Sequence, residues 1–281
     1  MQGEVSALIQ LIEDPDEEIF AQVRTELTRY GEALIPQLEH YWEYNVYGPL
    51  FNKRIESLIL ELNHKAVYKR LREWKESPEQ DLLEALLILN RVNHPSVKEQ
   101  ELKAQVLKIR QDIWLELNDF LTAIEAVNVF NTILFKVYAL EGVTHVSQGH
   151  NTLGELLNTR RGEPLIVGAL YSWLAESLEI NMRAINVPGD CILAYQEDDL
   201  EGDIETLFYV HPHQNGSILS REDIIDLLHE KQYPLDERFF HNCTKEEWVG
   251  RMINLLINQA IALKDNNKVS ELRALQSLMM E

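Results

Sequence analysis

Three reactive side-chain types lie close together along the chain between Asp190 and His211. Cys191 follows Asp190 directly, and His211 comes after two short apolar segments. A thiol, an imidazole and a carboxylate are the groups that cysteine-dependent acyl transfer uses, with the histidine taking the proton of the thiol. If the apolar segments form neighbouring strands, Cys191 approaches His211, and the stretch predicts a cysteine-dependent hydrolase or acyltransferase.

Cys191 also has a purely structural interpretation, and the sequence favours it. A free cysteine in a strand usually behaves as a small buried hydrophobic side chain. A strand position also lacks the helix N-terminus that lowers the pKa of a reactive thiol. Catalysis by Cys191, His211 and Asp190 is therefore kept as an alternative hypothesis.

The histidines of this region do not follow a metal-binding pattern. The candidate ligands are His145, His150, Asp190, His211 and His213. Their spacing matches no recognised metal motif, and histidines beside a proline turn are more often solvated or structural. We therefore predict neither a metal nor a cofactor.

Charged residues near these candidate groups can have either a binding role or a structural role. Arg160 and Arg161 could bind an anion near a helix start, or could interact with the carbonyl groups that end the preceding helix. Glu163 suits the N-terminus of the helix that follows it. Six of the nine residues in Glu197–Glu205 are acidic, which favours a solvated hairpin tip over a site for a cation or a basic partner.

The first part of the chain is predicted to be helical nearly throughout. Apolar residues recur at helical spacing from Ile19 to Tyr30, and a further helix pair is predicted over 50–62 and 67–74. The segment 77–80 (SPEQ) has the pattern of a capping box, and Ser96 with Glu99 has the same pattern before a longer helix to Leu117. Short paired helices indicate a HEAT-like solenoid or a plain helical bundle.

The second part has a different pattern. An apolar helix is predicted over 120–140, and Leu165–Leu178 is apolar on every face, which is typical of a helix buried at the centre of a domain. Short strands are predicted over 183–187, 191–195 and 206–211. Capping patterns begin helices after Thr152, Ser220 and Thr244, and the last helix pair turns at 265–267. We predict a predominantly helical α+β fold, divided at 1–117, 118–235 and 236–281.

Composition limits the partners. The 281 residues include 26 basic and 46 acidic ones, a net charge of -20 that disfavours nucleic acid and anionic membrane surfaces. No apolar run approaches the ~20 residues of a membrane-spanning helix, and the N-terminus lacks the pattern of a secretory signal. With two cysteines only, we expect a cytoplasmic protein.

Four sequence blocks resemble the SirB family of bacterial transglutaminase-like proteins. Members commonly read Asn-Ser-x-Leu-x-x-Val-Leu-x-Arg-Arg-x-Gly-x-Pro before the central helix, and residues 151–164 (NTLGELLNTRRGEP) are similar. Residues 186–191 (NVPGDC) resemble the block Gly-Leu-Pro-Gly-His-Phe, and 211–216 (HPHQNG) resemble Asp-Pro-Phe-Asn-Gly-Gly. Residues 251–256 (RMINLL) resemble the start of a tetratricopeptide-like hairpin. The resemblance implies a transglutaminase and papain-like fold from about Phe120 onwards.

The departures from the family pattern affect every catalytic position. The resemblance implies a thiolate nucleophile at the N-terminus of the central helix, and residues 163–166 (EPLI) provide no Cys, Ser or Thr there. Asp190 stands at the histidine position and His211 at the acid position, so these two residue types are exchanged. An Asp–His pair without a nucleophile performs no acyl transfer.

These patterns predict a non-catalytic transglutaminase-like protein that binds a protein or peptide. The expected pocket consists of Arg161, Glu163, Asp190, Cys191, His211 and Asn215. The alternatives are an active cysteine-dependent enzyme that uses Cys191 with His211, and a helical scaffold whose cleft is closed. The sequence does not determine an oligomeric state.

Overall fold

A computed structural model describes residues 2–44, 48–95, 97–143, 149–198 and 204–280. The chain forms two compact units, of which the first contains residues 1–73 and 91–96 and the second contains 74–90 and 97–281. The division at residues 117 and 235 that the sequence predicts has other boundaries, and it stays a prediction.

The first unit is built from amphipathic helices around an apolar core. Its helices are α1 (Gln2–Gln10), α2 (Glu17–Thr28), α3 (Ile35–Glu43) and most of α4 (Pro49–Glu76). Their apolar faces meet in one core, to which Ile9, Leu27, Leu38, Phe51, Ile55 and Leu58 contribute. Asp16 caps α2 by accepting hydrogen bonds from the backbone N–H groups of Glu18 and Ile19. The HEAT-like assignment of these helices stays a prediction.

The helix pair predicted over 50–62 and 67–74 is one continuous helix, α4. Residues 63–66 contain neither glycine nor proline, and the buried positions continue at helical spacing from Leu58 through Leu62 and Ala66. Asn63, the polar residue at the supposed break, is itself buried and donates to the carbonyl oxygen of Arg91. The polar interruption is therefore part of the packing and does not end the helix.

The capping box predicted at 77–80 is also wrong. Helix α5 (Leu82–Asn93) is capped by Asp81, whose carboxylate accepts from the N–H groups of Leu83 and Glu84 at 2.7 and 3.1 Å. Gln80 is left with a positive φ of 43° just before this cap. Helix α6 (Glu99–Glu116) ends as predicted, and Ser96 of the predicted box lies outside the described residues.

The predicted helix over 120–140 is shorter and changes type. Helix α7 (Ala123–Asn131) starts at a capping box of Thr122 and Glu125 and continues as a π-helical segment, Thr132–Val137.

The capping boxes predicted at Thr152, Ser220 and Thr244 are confirmed. They start α8 (Leu153–Thr159), α10 (Arg221–Glu230) and α11 (Lys245–Ala262).

The central helix and the sheet form the core of the second unit. Helix α9 (Pro164–Ser177) is buried along most of its length, as predicted. The antiparallel sheet has the order β3 (Met182–Ile185), β4 (Ile192–Asp198), β5 (Ile204–His211) and β6 (Ser217–Leu219). A short parallel pair, β1 (Glu141–Gly142) and β2 (Arg161–Gly162), precedes α9. Sequence inspection missed β1, β2 and β6, which are too short for a periodic pattern.

Helices cover the sheet and complete the unit. Ile224 and Leu228 of α10 pack on Ile185, Ile192 and Tyr209 of the sheet. Helix α11 and the last helix, α12 (Asn266–Met280), form the closing hairpin. The predicted predominantly helical α+β fold is thus confirmed. None of the helices in the described part of the chain is long and apolar enough to span a membrane.

Candidate functional site

Asp190 and His211 form a buried hydrogen-bonded pair. Asp190 lies in the turn before β4 and His211 ends β5, and the strand pairing brings these chain ends together. The Nε2 atom of His211 is 2.7 Å from Oδ1 of Asp190, and the two residues are only 1% and 8% exposed. A carboxylate only accepts hydrogen bonds, so a neutral His211 carries its proton on Nε2.

Lys231 occupies the second oxygen of the same carboxylate. Its Nζ atom lies 2.5 Å from Oδ2 of Asp190 and 3.1 Å from the carbonyl oxygen of Gly189. Burial disfavours the charged form of Asp190, but the hydrogen bonds from His211 and Lys231 outweigh it and hold the pKa of this carboxyl well below its usual range. Asp190 is therefore ionised and fully engaged inside the protein.

The other ring nitrogen of His211 is sealed. Its Nδ1 atom has no solvent contact and no hydrogen-bond partner within the described part of the chain. The ring of His213 lies beside it, with 5.8 Å between the ring centroids, and the Nδ1 atom of His213 is also buried without a partner. A histidine that acts as a general base needs one nitrogen open to the group it deprotonates. His211 offers no such nitrogen to solvent.

Cys191 turns its thiol away from this pair and into the core. Its backbone N–H, rather than its sulfur, contacts Asp190, at 2.8 Å from Oδ1. The sulfur packs on Gly168 of α9 so closely that a Cβ atom at position 168 would lie 2.0 Å from it. Burial raises the pKa of the thiol far above its usual value, although the Arg251 guanidinium acts in the opposite direction. Gly168 and the 2% exposed Cys191 are thus a packing pair.

Glu163 occupies the N-terminus of α9. As the N-cap residue it accepts a hydrogen bond from the N–H of Leu165 at 3.2 Å, and Pro164 takes the first helical position. Burial raises the pKa of the Glu163 carboxyl, whereas this N–H and the nearby Arg251 guanidinium act in the opposite direction. The first turn of α9 therefore presents a carboxyl group and contains no cysteine, serine or threonine.

A cleft of about 420 Å³ opens at this helix start. Its lining residues are Glu163, Pro164, Leu165, Gly189, Asp190, Arg251, Asn254, Leu255 and Asn258. The four from α11 follow helical spacing, so one face of α11 forms a wall opposite Glu163. Arg251 also donates hydrogen bonds to the carbonyl oxygens of Val187 and Asp190, which ties this wall to the turn before β4.

The structure brings together only part of the predicted pocket. Glu163 and Asp190 line the cleft, whereas Cys191 and His211 lie buried outside its lining. Arg161 lies in β2 with its side chain half exposed, 3.4 Å from Glu141. Asn215 is an exposed turn residue with a φ of 53°.

The other weighed residues have structural positions. Arg160 ends α8 with a φ of 63° and donates to the carbonyl oxygen of Tyr138. The carbonyl oxygen of His150 accepts the N–H of Glu163. His145 lies outside the described residues. The described ranges of the chain contain no group of three or more His, Cys, Asp or Glu residues that could hold a metal ion.

Sequence inspection missed Lys231, Arg251, Asn254 and Asn258. The last three were recognisable, because they are polar residues at positions i, i+3 and i+7 among the apolar residues of 252–257. Nothing in the sequence marks Lys231, whose role depends on where the end of α10 lies relative to the turn before β4.

Residues 98–254 match the model of a protein family described as the transglutaminase-like superfamily. No curated protein and no solved structure matches the chain significantly. The matched range covers more than half of the 281 residues, and it includes the central helix, the sheet and most of the cleft.

Proposed function

Because the chain belongs to the transglutaminase-like superfamily, we propose that it is a non-catalytic member which binds a peptide segment of another protein in the cleft at the start of α9. One observation carries this proposal. The described lining of the open cleft contains no cysteine, serine or threonine, while the thiol of Cys191 and the free nitrogen of His211 are buried away from solvent. The Cys191 thiol and the His211 imidazole therefore do not lie on the accessible surface of the cleft.

The chemistry of the cleft suits a peptide. Glu163 accepts N–H groups, Arg251 donates to carbonyl groups, and amides such as Asn258 do both. Leu165 and Leu255 add apolar surface for a side chain. A mixed lining of this kind fits backbone amides with an apolar side chain between them.

Charge supports a protein partner over a nucleic acid or a membrane. The net charge of -20 repels phosphate groups, whether they belong to a nucleic acid or to an anionic lipid. The described helices include no candidate membrane span. A cytoplasmic location and a place in the SirB family, which rests on the order of the four sequence blocks, belong to the same proposal.

The competing hypothesis is an enzyme that uses Cys191 with His211. The Asp190–His211 hydrogen bond favours it, because an acid that orients an imidazole is part of thiol and serine hydrolase sites. The hypothesis needs the Cys191 sulfur to leave its packing on Gly168 and to lose a strongly raised pKa. Both changes would expose a core residue, so we favour the non-catalytic function.

A peptide titration tests the proposal. An array of acetylated and amidated random peptides is probed with the full chain, and the strongest hits are titrated with fluorescence polarisation as readout. We expect Asn258→Ala and Glu163→Gln to weaken binding by about 10-fold. Asn128→Ala, an exposed asparagine on α7 outside the cleft, is the matched control and should leave the affinity unchanged.

Three results would contradict the proposal. The first is an array that yields no peptide with saturable binding. The second is a set of hits that bind both cleft variants as tightly as the unaltered chain. The third is cleavage or acyl transfer on a bound peptide, detected by mass spectrometry and abolished by Cys191→Ala, which would establish the enzyme instead.

A further inference from the structure

An exposed apolar patch lies where α6 passes into α7. It consists of Trp114, Leu115, Phe120 and Ile124, which are 60%, 62%, 94% and 48% exposed. Large apolar side chains in solvent are common singly, but four of them within residues 114–124, including a tryptophan and a phenylalanine, are typical of an interaction site. None of the four lines the cleft at α9.

The backbone that carries the patch is held in place. The N–H of Phe120 donates to the Asn118 side chain at 3.1 Å, and the N–H of Leu121 donates to the carbonyl oxygen of Asn118 at 3.3 Å. The Thr122 and Glu125 capping box then fixes the start of α7. Phe120 is thus presented to solvent by an ordered turn, which lowers the entropy cost of using it as an anchor.

Helix α6 has an apolar surface beyond the face it needs for packing. Its buried residues are Leu102, Val106, Ile109 and Ile113. Trp114 and Leu107, which are seven residues apart and lie on one side of the helix, are both exposed. A helix with only one buried face normally carries polar residues at such positions. The core of the unit therefore does not account for Trp114.

The charged residues that flank the patch along the chain favour a basic partner. Residues 111–126 include four acidic residues, Asp112, Glu116, Asp119 and Glu125, and no lysine or arginine. A second copy of the chain would place four further acidic groups against these four, and an anionic membrane would also be repelled. The complementary surface has apolar anchors flanked by Lys or Arg.

We propose that the patch formed by Trp114, Leu115, Phe120 and Ile124 is a docking site for a basic amphipathic helix of another protein. The patch lies at helix ends and not at a sheet edge, so helix docking is favoured over strand addition. This site is separate from the cleft, and the proposal stands whether or not the cleft binds a peptide.

Two synthetic helical peptides test the proposal on the full chain. Both have the same leucine face, and their polar positions are all Lys in one peptide and all Glu in the other. We expect saturable binding of the Lys peptide only. Its affinity should decrease when the salt concentration is raised from about 0.05 M to about 0.5 M. Phe120→Ala and Trp114→Ala should each weaken binding by about 10-fold.

Controls separate the patch from the general acidity of the chain. Leu60→Ala removes a similarly exposed apolar side chain elsewhere, on α4, and should not change the affinity. Because Phe120 is almost wholly exposed, Phe120→Ala should unfold at the same temperature as the unaltered chain.

Four results would overturn the proposal. Lys-peptide binding that survives Phe120→Ala would reflect net charge alone, and equal binding of both peptides would reflect unspecific apolar contact. Absence of binding to either peptide would remove the site. A different occupant would be shown if the chain self-associates or binds phosphatidylglycerol vesicles and Phe120→Ala abolishes that binding.

Discussion

Catalysis requires oriented acid–base groups in an accessible site. The Asp190–His211 pair and the cleft at the start of α9 each meet only one of these two conditions. The pair holds well-oriented acid–base groups, but it is buried and its free nitrogen has no solvent contact. The cleft is open, but its first helical turn presents Glu163, Pro164 and Leu165. Asp190 alone belongs to both regions, and Lys231 and His211 already occupy its two oxygens. Under the proposed function, the pair stabilises the fold and the cleft binds the peptide.

The largest expected effect concerns the pair. Asp190→Ala leaves His211 and Lys231 without their shared carboxylate, and breaking a buried pair in this way costs about 3 kcal/mol of unfolding free energy. Urea denaturation measures the loss. Asp226→Ala, an exposed aspartate on α10, is the control and should cost less than about 0.5 kcal/mol. Equal stability of the two variants would show that the pair has no structural role.

A second test concerns the packing of Cys191 on α9. Gly168→Ala places a Cβ atom 2.0 Å from the Cys191 sulfur, and such overpacking should cost about 1–3 kcal/mol. Adding Cys191→Ala should recover most of this loss, because it removes the clashing sulfur. Gly250→Ala on α11 meets no atom within 4 Å and is the matched control. If Gly168→Ala were harmless on its own, the thiol would not be locked against α9.

The pH dependence of stability should reveal the pair. The pKa of Asp190 is lowered in the folded chain, so its contribution is present above the unfolded value of about 3.9 and is lost as pH falls below that value. The unfolding free energy of the unaltered chain should thus fall more steeply below about pH 4 than that of Asp190→Asn. Parallel pH profiles would mean that Asp190 is not engaged in solution.

The smallest effect is expected in the cleft. Burial raises the pKa of Glu163 in the folded chain, so ionisation disfavours the fold and stability falls as pH rises from the unfolded value of about 4.3. Glu163→Gln keeps an oxygen that caps α9 and removes this pH dependence, with a change of less than about 1 kcal/mol at neutral pH. A marked loss of stability would show that the Glu163 charge is needed for folding.

The sequence predicts the elements with strong local signals and misses those that depend on distant contacts. The all-apolar central helix and the capping boxes at Thr152, Ser220 and Thr244 are local features, and they were predicted correctly. The pattern of residues 77–80 predicts the cap of α5 at Ser77, yet Asp81 provides it. A local sequence pattern does not show which of two possible N-cap residues begins the helix.

The same distinction holds at the site. The resemblance to the family blocks places Glu163 and Asp190 at catalytic positions, and both line the cleft. Lys231 was missed because its contact with Asp190 joins residues 41 positions apart. Burial of Cys191 agrees with the structural interpretation that its residue type favours, whereas its contact with Gly168 joins distant positions and leaves no local signal.

Thiol labelling tests the central claim most directly. The chain is incubated with excess iodoacetamide at several urea concentrations below the unfolding transition, and the labelling rate of Cys191 is followed by peptide mass spectrometry. If the reactive groups are sealed inside the fold, Cys191 reacts only through global unfolding, and its rate follows the unfolding equilibrium measured by urea denaturation. Rapid stoichiometric labelling in the absence of urea, lost in His211→Ala, would contradict the account and identify Cys191 as an activated nucleophile.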